Sequence, residues 1–189
     1  HHPRQRADAG GNTINIAEKT MLNVAYGTDP LQKMDIYLPA NRQPDSTRVL
    51  VLIHGGGWTT GDKNDWASAI DTLKKRLPNY AIFNINYRLA SNSANIHYNE
   101  IMSDVSAAVN FMVSNKANFI TSDTLLMVGA SAGAHLAMLY TYKYNTGGYV
   151  RAVADYFGPA VLDDWSWYNS FNIWVGKAVK DVLSQYNNS

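Results

Sequence analysis

Several continuous hydrophobic runs of strand length lie along the chain. Residues 49–53 read Val-Leu-Val-Leu-Ile, with no polar residue among them. A run of this kind is typical of a strand that is buried on both faces, as in a parallel sheet. Similar runs predict four central strands, at residues 49–53, 80–85, 124–128 and 149–153.

The stretches between these runs carry apolar residues at helical spacing. In residues 98–115, Ile101, Val105 and Met112 would lie on one face of a helix. The alternation of strands and helices predicts the α/β class, with a mostly parallel sheet and helices on both sides. The predicted helices cover residues 63–77, 98–115 and 132–144.

The N-terminal part of the chain follows a different pattern. Apolar and polar residues alternate along residues 32–38, which is typical of a strand with one solvated face. Residues 21–26 form a second strand-like stretch, and the Gly-Thr-Asp-Pro sequence between the two predicts an antiparallel hairpin. Residues 1–20 are polar and aperiodic, so we expect a loose arm before a domain that covers residues 21–189.

Composition narrows the classes of function. A chain of 189 residues, 46% of them hydrophobic, suits one globular domain. Its charged fraction of 16% and net charge of +1 argue against a nucleic-acid partner, which would need a basic patch. The lack of cysteine excludes disulfides and cysteine-based metal sites, and no apolar run reaches the roughly 18 residues of a membrane span. Low charge with many Asn and Tyr residues favours an exported protein, secreted or periplasmic, but localisation stays undecided.

The candidate nucleophile is Ser131, in the sequence Gly-Ala-Ser-Ala-Gly at residues 129–133. It follows a predicted buried strand and precedes an apolar helix. A sharp strand-to-helix turn crowds the backbone, so the serine needs small neighbours, and the turn exposes its hydroxyl at the carboxyl end of the sheet. The alternatives are a chance match or a helix N-cap, because serine is a favoured capping residue.

A second candidate motif, His-Gly-Gly-Gly-Trp, occupies residues 54–58 directly after a predicted strand. Three glycines allow the backbone N–H groups to approach a substrate closely. We therefore predict an oxyanion site formed by the N–H groups of Gly56, Gly57 and Ala132. A plain turn or a phosphate-binding loop is the alternative, although a phosphate loop would need a Lys-Ser or Lys-Thr pair after the glycines.

Together these motifs resemble the hormone-sensitive-lipase-like and feruloyl or acetyl esterase branch of the α/β-hydrolases. The resemblance extends over roughly residues 20–165 and implies a carboxylic-ester hydrolase. Arylformamidases, which hydrolyse an N-formyl amide, resemble the same pattern. The segments that carry the resemblance are residues 24–27, 34–39, 54–58, 61–63, 86–89, 129–136 and 155–159.

The other aromatic and histidine residues near these motifs have expected roles. The resemblance implies that His54 is a structural residue that pins the glycine-rich loop. His135 is expected to be packed and hydrogen-bonded, and His97 to lie on the surface. Three aromatic residues are candidates for the wall of an acyl or aryl pocket: Trp58, Tyr87 and Phe157.

A serine nucleophile needs a base and an acid, and in α/β-hydrolases the chain order is serine, acid, histidine. No histidine follows His135 in this sequence. Asp163 and Asp164 stand where some α/β-hydrolases carry the acid. The resemblance implies two further strands, an acid loop and a histidine loop, so we expect the chain to be a C-terminally truncated hydrolase with little or no esterase activity on its own.

Two classes of function stay open. One is a serine esterase that acts through an acyl-enzyme on short-chain acyl or aromatic esters, as small molecules or linked to polysaccharides, without metal or organic cofactor. The other is a catalytically dead hydrolase-like protein used for binding or assembly. Absence of the further strands would leave an exposed edge near residues 149–154, which favours self-association or a partner fragment.

Overall fold

The computed structural model describes residues 15–159, 181–182 and 184–187, and six of their segments are strands of one sheet. In chain order the strands are β1 (Lys19–Ala25), β2 (Lys33–Leu38), β3 (Arg48–Ile53), β4 (Tyr80–Ile85), β5 (Leu125–Ala130) and β6 (Val150–Tyr156). Across the sheet their order is β1-β2-β4-β3-β5-β6. The pairs made by β2 are antiparallel, and the pairs β4–β3, β3–β5 and β5–β6 are parallel.

This sheet confirms the predicted α/β class and the N-terminal hairpin. The four apolar runs form the parallel part, and the hairpin strands extend the sheet from β4. β1 begins at Lys19, inside the stretch predicted as an arm. Residues 1–14 of that stretch lie outside the described residues.

Within residues 15–159, four α-helices accompany the strands. Helix α2 matches the predicted helix within one residue, and the other two predicted helices are each divided into two elements. The helices are α1 (Ala67–Arg76), α2 (Tyr98–Ser114), α3 (Lys116–Phe119) and α4 (Ala132–Leu139). A 3₁₀ turn, Lys63–Trp66, precedes α1, a π-helical turn, Tyr140–Tyr144, follows α4, and residues 181–182 and 184–187 are also helical.

Competing hydrogen bonds explain why the predicted helices at residues 63–77 and 132–144 are each divided into two elements. The carbonyl of Lys63, which an α-helix would use internally, instead accepts a bond of 2.7 Å from the Asn84 side chain. At the other helix, the Thr141 hydroxyl donates to the Ala137 carbonyl over 2.7 Å, a bond that competes with the regular helical pattern. Sequence periodicity does not report such side-chain bonds, so the pattern predicts continuous helices.

The core lies on both faces of the sheet. On β3, Val49, Val51 and Ile53 pack with residues of α2 and α4, whereas Leu50 and Leu52 pack with Ile70 of α1 on the opposite face. Burial of each such side chain contributes about 1.5–3 kcal/mol. The continuous apolar run therefore reflects a strand covered on both sides, and this packing fixes the position of the residues that follow β3.

Candidate active site

Ser131 forms the turn between β5 and α4. Its φ of 51° and ψ of −117° lie in a region that costs a residue with a side chain about 1–3 kcal/mol. The Ser131 N–H donates to the Tyr156 carbonyl over 2.8 Å, and the Ser131 carbonyl accepts from the His135 N–H over 3.1 Å. These bonds hold a strained turn, and Ser131 is solvent exposed at the carboxyl end of β5.

The glycines on either side of Ser131 have no room for a side chain. A Cβ at Gly129 would lie 2.2 Å from the Gly133 carbonyl oxygen, and a Cβ at Gly133 would lie 2.2 Å from the Ile53 carbonyl oxygen. Both neighbours are backbone atoms, so neither can rotate away. The small residues of the motif are therefore required by the approach of β5, α4 and the end of β3.

Residues 54–58, which we call the glycine loop, lie directly against this turn. A Cβ at Gly55 would lie 2.8 Å from the Ala130 carbonyl oxygen and 3.4 Å from the Ser131 Cβ. Gly56 and Gly57 have φ values of 103° and 57°, and Gly56 is exposed to solvent. The two motifs are distant along the chain, and the pairing of β3 with β5 brings them into contact.

His54 and Tyr87 support the glycine loop from within the protein. Their rings stack at 4.3 Å with an angle of 8° between the planes. The Tyr87 hydroxyl donates to the His54 carbonyl over 3.0 Å. The His54 Nδ1 is bonded to the Gly55 carbonyl over 2.7 Å, and since a carbonyl only accepts, Nδ1 carries the proton. All of these contacts are made to the loop, which agrees with a structural position for His54.

A buried polar network anchors the segment that follows the glycine loop. Lys63 pairs with Asp35 of β2 over 2.9 Å, and both side chains are buried. The Asn86 side chain accepts from the Lys63 N–H over 2.6 Å and donates to Asp62 over 2.7 Å. These contacts were not predicted from the sequence. The signal that could have found them is the presence of Asn84 and Asn86 at the end of an otherwise apolar strand.

The three aromatic residues predicted to wall a pocket are placed differently from one another. Tyr87 is only 1% exposed and lies beneath the glycine loop, so its place in the wall of a pocket stays a prediction. Trp58 is 5% exposed, with its ring stacked on Tyr186 at 4.4 Å. Phe157 is 75% exposed and directly follows Tyr156, whose carbonyl accepts from the Ser131 N–H.

The three described histidines, His54, His97 and His135, share one arrangement. Each bonds a main-chain carbonyl through Nδ1, whereas the histidine of a Ser-His-Asp triad bonds a carboxylate there. Burial lowers the pKa of His54 and His135, which favours neutral rings at neutral pH. His97 is buried, so the prediction of a surface position is wrong. The acceptors are the carbonyls of Gly55 at 2.7 Å, Gln185 at 2.7 Å and Pro159 at 3.0 Å.

Comparison with known proteins assigns a family to this arrangement. Residues 34–188, which include both motifs, match the model of the BD-FAE family. The chain belongs to the BD-FAE family. The α/β-hydrolase resemblance seen in the sequence is thereby confirmed.

Relatives of this BD-FAE chain include esterases and a formamidase. Isoprenylcysteine alpha-carbonyl methylesterase from Arabidopsis thaliana is 30% identical over 125 residues, covering 65% of this chain and 27% of the relative. Kynurenine formamidase from Danio rerio is 26% identical over 132 residues, covering 69% of this chain and 42% of the relative. The chain therefore spans about a quarter to two-fifths of the length of these relatives.

A solved structure shows the same fold. Esterase B from Lactobacillus rhamnosis superposes with a TM-score of 0.68 at 22% sequence identity, covering 89% of this chain and 56% of that protein. This similarity confirms the α/β-hydrolase fold that the sequence predicts.

The remaining sequence predictions for this BD-FAE chain concern the acid partner of the serine and metal binding. Asp163 and Asp164, the candidate acids, lie outside the described residues. The buried carboxylate of Asp104 is held by the Arg88 guanidinium, with an N···O distance of 2.7 Å. Within the described part of the chain, no group of three or more His, Cys, Asp or Glu side chains is placed to hold a metal ion. The same residues contain no helix long and apolar enough to cross a membrane.

Proposed function

We propose that the chain carries the nucleophile and the oxyanion site of a serine carboxylic-ester hydrolase. The Ser131 Oγ attacks the acyl carbon, and the N–H groups of Gly56, Gly57 and Ala132 stabilise the oxyanion that forms. The observation that supports this most strongly is the close approach of the glycine loop to the Ser131 turn, 3.4 Å from a Cβ position at Gly55 to the Ser131 Cβ. Each N–H donor of such a site is worth about 100- to 1000-fold in rate.

The proposed reaction has two halves. In the first, the Ser131 Oγ–acyl bond forms, the bond from the acyl carbon to the alcohol oxygen breaks, and the serine proton passes through a base to the departing alcohol. In the second, water attacks the acyl-enzyme and releases the acid and free Ser131. Each described histidine bonds a carbonyl through Nδ1, and no histidine follows His135, so we propose that another segment, on the same or a partner polypeptide, supplies the base. Asp163 and Asp164 stay candidates for the acid.

The proposed substrates are short-chain acyl or aromatic esters, including feruloyl and acetyl esters on polysaccharides. The exposed Phe157 ring would suit an aromatic or acyl group, since Phe157 directly follows Tyr156, whose carbonyl accepts from the Ser131 N–H. Hydrolysis of an N-formyl amide is the second candidate, favoured by the match to a kynurenine formamidase. A panel of acetyl, feruloyl and N-formyl aromatic substrates compares the two, and exclusive turnover of the amide would overturn the ester proposal.

A fluorophosphonate probe tests whether Ser131 is an activated nucleophile. We expect Ser131 to be labelled when a segment that supplies the base is present, Ser131→Ala to abolish this labelling, and Ser93→Ala, at an exposed loop position, to leave it unchanged. Phosphonylation requires an activated serine. Absence of labelling even with that segment present would contradict the catalytic proposal and favour the alternative of a catalytically dead protein that serves binding or assembly.

We also propose that the outer edge of β6 pairs with a further strand, from a second copy of the chain or a partner fragment. β6 pairs with β5 along one edge, and five of its seven residues are exposed in the described part of the chain. Light scattering should show concentration-dependent association. Ala154→Lys, on this edge strand, should reduce that association, whereas Leu22→Lys on β1 should not. A strictly monomeric chain at all concentrations would contradict the proposal.

A further inference from the structure

The helical residues near the C-terminus pack directly against the glycine loop. The Tyr186 ring stacks on the Trp58 ring at 4.4 Å, with 18° between the planes, and Tyr186 is 1% exposed. A Cβ at Gly57 would lie 3.4 Å from Val182 Cγ1. Val182 therefore lies against Gly57, and Tyr186 lies against Trp58.

This segment is attached to the body of the protein independently of the loop. The His97 Nδ1 donates to the Gln185 carbonyl over 2.7 Å, and the His97 N–H is held by the Glu100 carboxylate over 2.9 Å at the start of α2. The Tyr186 ring also meets the edge of the Tyr98 ring at 6.1 Å. The first turn of α2 thus fixes the position from which Tyr186 reaches Trp58.

The glycine loop needs such support because its backbone is strained at Trp58. Gly56, Gly57 and Trp58 all have positive φ, of 103°, 57° and 62°. Glycine adopts these angles freely, but they are unfavourable for a tryptophan, and such a residue persists only where its surroundings hold it. The Trp58 carbonyl is held by the Ala90 N–H over 2.8 Å, and its ring is held by Tyr186 and the edge of His135.

We propose that Tyr186 is a positioning residue: by stacking on Trp58, it holds the glycine loop in the conformation that presents the Gly56 and Gly57 N–H groups to the substrate carbonyl. The inference rests on the proposed function of this loop as an oxyanion site. The ring carries the effect, because the Tyr186 hydroxyl is buried without a hydrogen-bond partner among the described residues. Tyr186→Phe should therefore preserve the conformation of the glycine loop, whereas Tyr186→Ala should not.

Hydrogen exchange measured by mass spectrometry tests the contact without any need for activity. In Tyr186→Ala we expect residues 54–60 to exchange about tenfold faster or more, since a stacked aromatic pair and its buried area are lost. Exchange in β3 should stay unchanged, and Tyr186→Phe should match the wild type. Tyr142→Ala is the matched control, because Tyr142 is 81% exposed.

The exchange experiment has outcomes that overturn the proposal. Unchanged exchange of residues 54–60 in Tyr186→Ala would do so, as would equal loosening in Tyr186→Phe. If Tyr186→Ala does not fold, Tyr186→Leu, which fills much of the space without a ring, replaces it with the same expectations.

Fluorophosphonate kinetics then separate positioning from general stability. For Tyr186→Ala we expect the maximal rate constant of Ser131 labelling to fall about tenfold, less than the loss of an oxyanion donor, with little change in probe affinity. Tyr186→Phe should label at the wild-type rate. Absence of labelling in the wild type, with the segment that supplies the base present, would reject the proposed function alone, while the exchange result would still decide the role of Tyr186.

Discussion

Individual backbone positions around Ser131 determine how closely its neighbours approach. Gly129 and Gly133 face backbone atoms at distances that exclude a side chain, while Ser131 and Trp58 adopt positive φ with one. The sequence motif predicts the need for small residues at the turn. It does not reveal that Gly133 faces the end of β3, because that contact joins residues that are distant along the chain.

Gly133→Ala should destabilise the fold strongly. The new methyl group would lie 2.2 Å from the Ile53 carbonyl oxygen, so α4 or β3 must move, at a cost of about 1–3 kcal/mol or more. Gly148→Ala is the control, because its added Cβ meets no atom within 4 Å and only its φ of 65° opposes the change. Urea unfolding of both variants measures the difference, and equal stability would contradict the packing described.

Burial of His54 and His135 should make stability depend on pH. Burial lowers the pKa of both rings below the value of about 6.5 that they regain on unfolding, so the unfolded chain binds more protons as the medium is acidified. The stabilisation is therefore complete above the unfolded pKa and is lost as the pH falls toward the folded pKa values.

The free energy of unfolding should thus decrease from pH 7 to pH 5, by at most about 1.4 kcal/mol per pH unit for each ring. His135→Gln should reduce this slope, and urea unfolding at a series of pH values measures it. A slope as steep in His135→Gln as in the wild type would show that His135 does not titrate in this way.

At the scale of elements, the buried pair of Lys63 and Asp35 ties the 3₁₀ turn to β2. Hydrophobic patterns predict the strands well, since β3 and β5 lie between packed layers. They wrongly predict one continuous helix from residue 63, whereas a 3₁₀ turn precedes α1. Periodicity carries no information on the bonds that the Asn84 and Asn86 side chains make to the Lys63 backbone. His97 is missed for the same reason, since its buried position depends on a partner 88 residues away.

Lys63→Met should be strongly destabilising, because it leaves the Asp35 carboxylate buried without its partner. Loss of one member of a buried pair costs about 3–5 kcal/mol. The double variant Lys63→Met with Asp35→Asn should recover much of the loss. Lys74→Met, at the partly exposed pair with Glu18, should change the free energy of unfolding by about 0–1 kcal/mol.

Urea unfolding of these variants forms a double-mutant cycle. Additive effects of the changes at residues 63 and 35 would show that the pair is not coupled. A small effect of Lys63→Met alone, similar to that of Lys74→Met, would contradict the anchoring role of the network.

For the whole molecule, the pairing of β3 with β5 brings the glycine loop and the Ser131 turn together. Parallel strands end at the same edge of a sheet, so the sequence predicts this meeting from the two motifs and their preceding strands. The roles of Trp58 and Tyr87 are harder to predict, since an aromatic residue near a strand end can face either the core or a pocket. The support from Tyr186 depends on a distant segment with no motif of its own.

Trapping of an acyl-enzyme tests the central claim most directly. The chain, together with a segment that supplies the base, is mixed with an activated aryl acetate, quenched with acid and digested, and the acetyl group is located by peptide mass spectrometry. The account predicts acetylation of the Ser131 hydroxyl, its loss in Ser131→Ala, and its retention in Ser93→Ala. Acetylation at the same rate in Ser131→Ala, or an acetyl group found only on other residues, would contradict it.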